Sequence, residues 1–89
     1  PVFEKKLLHH IMNNQKTIAE RLISKKSLST SQNKEVEALS PTLMLCYLNG
    51  FEEAKSLLYK IQSPLRDYSS FGYQSHKDSM RILRKIKYN

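Results

Sequence analysis

Between Leu7 and Ile23 the apolar residues recur at intervals of three and four, and this spacing constrains the fold more than any other feature of the chain. At about 100° per residue, Leu7, Leu8, Ile11, Met12, Ile18, Ala19, Leu22 and Ile23 fall within an arc of about 160°. Lys6, His9, His10, Asn13, Lys16, Thr17 and Glu20 take the opposite side. The pattern predicts a long amphipathic helix over residues 3–24. Gln15 alone lies inside the apolar arc, so either its amide is buried and satisfied or the helix breaks near Asn13-Asn14.

The same period returns later in the chain. After a polar loop at 25–33, "KEVEAL" has the makings of a short helix with Asn33 as its cap. Ser40-Pro41 then reads as an N-cap followed by proline at the first helical position, opening a second helix that is apolar all round. Asn49-Gly50 is the expected stop. "FEEAKSLLYKI" places Phe51, Ala54, Leu57, Leu58 and Ile61 within about 120° of a wheel, so it is helical and not the second strand of a hairpin. Whether residues 41–61 form one kinked helix or two stays open. Ser63-Pro64 begins either a helical turn ending at Gly72 or an irregular aromatic loop. Ser75 with Asp78 resembles a capping box for a last helix, in which Ser79, Ile82, Leu83 and Ile86 face the core. No segment reads convincingly as a strand. The fold class is all-α, a compact bundle of four to five short-to-medium helices.

Eighty-nine residues make one small domain, residues 1–89. The chain opens on Pro with no signal-peptide layout, so it reads as a domain taken from a longer protein. The longest apolar run, "LMLCYL", falls far short of the roughly 20 residues a membrane helix needs. Cys46 is the single cysteine, which excludes an intrachain disulfide and favours an intracellular setting. Whether the setting is nucleus or cytoplasm is not distinguished.

Chemistry finds few footholds. The two glycines cannot build a phosphate-cradling loop. His9 and His10 point about 100° apart on a helix and cannot share a metal. Cys46 lies in the most apolar stretch, as a small buried hydrophobe would. The carboxylate pairs sit in polar contexts that would not raise a pKa. No catalytic residue, cofactor or metal is expected. "YLNGFEEAKSLL" resembles a tetratricopeptide helix pair, but it occurs once. A DNA-reading helix beginning Phe51-Glu52-Glu53 would carry carboxylates where phosphate lies.

Two features point to binding. The net charge is +7, distributed as +4 over residues 1–26 (six cations, two anions), −1 over 27–74 (four and five) and +4 over 75–89 (five and one). And "LRDYSSFGYQSH" crowds Tyr68, Phe71 and Tyr73 beside Arg66, the residue types of interaction hot spots. The leading expectation is a non-catalytic protein-interaction or regulatory module, docking an acidic partner through Tyr68, Phe71, Tyr73 and Arg66 with a basic rim. The alternative is a DNA- or RNA-binding domain using Lys77, Arg81, Arg84, Lys85 and Tyr88 of the last helix with Lys5 and Lys6 of the first. A homo-oligomerisation domain is the third reading. No membrane partner is expected.

Overall fold

The computed structural model describes the backbone of residues 2–87 and the side chains of residues 4–86. Four helices follow one another: α1 (Val2–Ile23), α2 (Thr30–Leu48), α3 (Glu52–Lys60) and α4 (Phe71–Lys87). The architecture is all-α. α2 is the central element: α1 and α3 pack on it and on each other, while α4 packs on α2. The core joins Met12, Ala19 and Leu22 of α1 to Val36, Leu39, Leu43 and Met44 of α2. Ala54, Leu57 and Leu58 of α3 and Met80 and Leu83 of α4 complete it.

α1 runs unbroken past Asn13-Asn14, with Gln15 half-buried. α2 departs from expectation. Its N-cap is Ser29 and not Asn33. The Ser29 hydroxyl accepts from the Gln32 amide at 3.3 Å, and the Gln32 side chain accepts from the Ser29 amide at 2.9 Å, a reciprocal capping box. Asn33 is a buried residue of the first turn. Pro41 does not open a helix: α2 passes straight through it, so the two helices expected over 33–49 are one.

A proline inside a helix removes one amide donor and orphans the carbonyl four residues back, typically at a cost of about 3 kcal/mol. Here the orphan is the carbonyl of Glu37, and α4 supplies a donor, the Ser75 hydroxyl at 2.7 Å. The Thr42 hydroxyl donates to the neighbouring carbonyl of Ala38 at 2.9 Å. The weak point of α2 is thus closed by a hydroxyl from another helix. Ser75→Ala is expected to lower unfolding free energy by about 1 kcal/mol. An unchanged midpoint in urea would show that water replaces the hydroxyl at no cost.

Asn49-Gly50 ends α2 as expected, with Gly50 at φ +100°, and α3 is a separate helix. Glu52 and Glu53 in its first turn complement the helix dipole, and Glu53 also meets Lys16 of α1 at 3.2 Å. Residues 61–70 form turns and loop. The Leu28 amide donates to the Pro64 carbonyl at 3.1 Å, tying this loop to the one before α2.

The last helix begins earlier than the Ser75/Asp78 pattern suggests. It starts at Phe71, which puts Gly72 and Ser75 inside it and leaves Asp78 to pair with Arg81 at 3.0 Å. Gly72 therefore does not end a turn. A methyl group built on it would overlap the carbonyl of Asn33, whose carbon lies 2.9 Å from that position. α4 can lie this close to α2 because residue 72 has no side chain.

Candidate partner-binding surface

The turn before α4 is held by its own hydroxyls. The Asp67 carboxylate accepts from the amide and hydroxyl of Ser69, at 3.2 and 2.8 Å. Ser70 then caps α4, its hydroxyl accepting from the Tyr73 amide at 3.1 Å and donating to the Asp67 carbonyl at 2.8 Å. The Gln74 side chain donates to the Tyr68 carbonyl at 3.1 Å. Ser70, directly ahead of Phe71, is the capping signal that the Ser75/Asp78 reading passed over.

This scaffold sets the three aromatic rings apart. Tyr73 is half-buried against the core. Tyr68 meets it edge to face, 4.9 Å between centroids. Phe71 points outward and is 74% exposed, and Tyr68 is 69% exposed. Arg66 is exposed beside them, its Nε donating to the Ser63 carbonyl at 3.4 Å. Between Phe71 and the first turn of α2 lies a cavity of about 310 Å³, lined also by Thr30, Asn33, Lys34 and Gly72. Two of the three rings, Tyr68 and Phe71, are presented to solvent, while Tyr73 packs on the core.

The basic residues sit on two helices that make no extensive contact with each other. Lys77, Arg81, Arg84 and Lys85 are all exposed on α4, with Arg81 held by Asp78. Lys5 and Lys6 are exposed on α1. α1 packs on α2 and α3, and α4 packs on α2, so the helices carrying the two basic ends are not laid side by side. Tyr88 lies outside the described residues.

Two observations go beyond the sequence reading. Ile82 and Ile86, expected to face the core, are half-exposed, and Leu45 and Leu48 of the most apolar helix are exposed as well. His76 is buried, its Nδ1 3.2 Å from the hydroxyl of buried Ser40 and its Nε2 without a partner. Burial, and secondarily the charge of Arg84, hold its pKa down to about 4. Solvent reaches neither member of this pair, which makes it a packing feature of the α2–α4 seam. Cys46 is buried too, and burial pushes its thiol pKa up. Among the described residues no group of three or more His, Cys, Asp or Glu side chains is placed to hold a metal, and no helix is long and apolar enough to cross a membrane.

No curated protein and no solved structure matches the chain. A family model does match, along residues 1–89, and its description is a domain of unknown function, DUF5929. The chain with this buried α2–α4 seam and outward-facing aromatic turn is a member of the DUF5929 family.

Proposed function

We propose that the domain is a non-catalytic protein-interaction module, and that it docks an acidic partner through the turn at 66–73. The observation that carries this reading is the outward display of Tyr68 and Phe71 on a turn made rigid by its own hydrogen bonds. Aromatic side chains on a preordered support contribute contact area with little entropy left to lose. Arg66 and Lys34 form the basic rim, which favours a carboxylate-bearing partner and speeds encounter with it. Tyr73 serves as the anchor against which Tyr68 is set.

Nucleic-acid binding has less support, because the cations of α1 and α4 belong to helices that share no extensive contact. The experiment replaces Phe71 with a photo-reactive benzophenone amino acid in the full-length protein in its native cells. A protein crosslink is expected from position 71 and not from exposed Tyr59. Tyr68→Ala should abolish a crosslink placed at Arg66, while its stability changes by no more than about 0.5 kcal/mol. A nuclease-sensitive adduct would overturn the reading in favour of nucleic acid. So would micromolar binding to DNA or RNA that Arg81→Glu with Arg84→Glu eliminates.

A further inference from the structure

Unmet hydrogen-bonding capacity gathers at the cavity between the first turns of α2 and α4. Asn33 lines this cavity and is only 6% exposed, yet its carboxamide oxygen accepts no hydrogen bond. A buried polar atom left unpaired costs about 1–3 kcal/mol, so such atoms are normally paired. Gly72 lies directly against Asn33 on the same wall. Its amide and that of Phe71 open α4, where the helix itself supplies no acceptor. The Ser70 cap takes the next two amides, those of Tyr73 and Gln74. Asp67 adds a second acceptor to the wall. Both of its contacts with Ser69 fall on Oδ1, which leaves the other carboxylate oxygen open.

Donors and acceptors thus stand on adjoining residues of one wall without being bonded to each other. A group that carries both kinds of site satisfies them together. One water is enough to pair with the Asn33 oxygen, but a cavity of about 310 Å³ has room for far more than that. Charge narrows the choice. Lys34 and Asp67 line the cavity with opposite signs, so the charged side chains favour neither an anion nor a cation. The positive end of the α4 dipole adds a preference for a carbonyl oxygen at the amides of Phe71 and Gly72.

The neutral group with two N–H donors and a carbonyl of two lone pairs is a primary carboxamide. The outward-facing ring of Phe71 supplies an apolar wall for the stem that carries it. We infer that this cavity binds a primary carboxamide, the side chain of an Asn or Gln in the partner. Its N–H groups turn toward the free oxygens of Asn33 and Asp67, and its carbonyl toward the amides of Phe71 and Gly72. This rests on the interaction reading above and names the group of the partner that is anchored beside the aromatic turn.

The test titrates the isotope-labelled protein with benzamide, which joins a carboxamide to a ring that can lie on Phe71. Benzoate, which has the same shape and a negative charge, and acetophenone, which keeps the carbonyl but has no N–H, serve as controls. Benzamide is expected to shift the backbone amides of Phe71 and Gly72 and the side-chain amide of Asn33 saturably, with a Kd of about 1–10 mM. Both controls should bind about ten-fold more weakly or worse. Asn33→Leu removes the acceptor and should weaken benzamide by a similar factor. Should that variant fail to fold, the ligand series decides without it. No saturable shift at about 50 mM benzamide overturns the inference. Equal binding of acetophenone reduces the site to a contact on Phe71, and tighter binding of benzoate makes it an anion site; either overturns it as well. If benzamide fails while the crosslink from position 71 persists, the carboxamide site falls and the aromatic turn stands. If benzamide binds and no protein crosslink forms, the carboxamide belongs to a small molecule and the partner's Asn or Gln is overturned.

Discussion

Replacing Gly72 with alanine is expected to lower the unfolding free energy by about 3 kcal/mol, the high end of what overpacking does, and to drop the melting temperature by roughly 15–20 °C. Alanine is the better helix former by about 1 kcal/mol, so on a free helix the change would be favourable. The tertiary contact reverses the sign. The added methyl lands on the Asn33 carbonyl, with the carbonyl carbon at 2.9 Å and the α carbon at 3.2 Å. These are backbone atoms of a capped helix, and no rotamer change can clear them. α4 must move off α2, and that movement loosens the Ser75–Glu37 and Ser40–His76 bonds further along the seam.

Gly50→Ala provides the comparison. Gly50 holds φ +100°, where a side chain is strained, but a methyl there meets nothing within 4 Å. Its cost should be about 1–2 kcal/mol and purely local. Urea denaturation of the two variants separates backbone strain from a steric clash. If Gly72→Ala proves as mild as Gly50→Ala, the close approach of α4 to α2 is wrong.

The helical fold was legible because periodicity reports burial along a helix, and the long apolar stripe of α1 and the Asn49-Gly50 stop carry that signal unaided. The position of α4 was not. Local rules assign Pro41 to a helix start, Gly72 to a turn and Ser75 to a cap, and all three assignments fail together. The reason is a tertiary contact: Ser75 supplies the donor that makes Pro41 tolerable inside α2, and Gly72 supplies the space that lets Ser75 come near. No residue of this set signals its role without the other two. The exposure of Ile82 and Ile86 was hidden for a related reason. A wheel places Ile82 and Ile86 on the apolar half of α4, but only the packing on α2 decides which part of that half is covered. The aromatic turn was readable from composition, and its outward display was not.

Acidifying the protein from neutral pH to pH 4.5 should reduce its stability through His76. In the native state burial holds this imidazole at a pKa of about 4, against 6.5 when exposed. As pH falls below 6.5 the unfolded chain takes up a proton that the folded chain refuses, so stability declines by up to about 1.4 kcal/mol per pH unit. The loss approaches about 3 kcal/mol near pH 4 and then levels off, while above pH 6.5 this residue contributes no slope. The geometry explains the refusal. One ring nitrogen faces the Ser40 hydroxyl at 3.2 Å, the other has no partner, and Arg84 opposes a second positive charge nearby. Protonation would leave a buried cation with at most one acceptor. His76→Leu removes both the titration and the unpaired nitrogen but leaves the buried Ser40 hydroxyl without its partner, so it should cost about 1–2 kcal/mol at pH 7. At pH 4.5 the same variant should be the more stable protein. Urea midpoints at pH 7, 6, 5 and 4.5 decide the matter. A slope that persists in His76→Leu would assign it to other groups, and a flat wild-type profile would mean that water reaches the ring. In either case the seal between α2 and α4 would be looser than the Ser40–His76 contact requires.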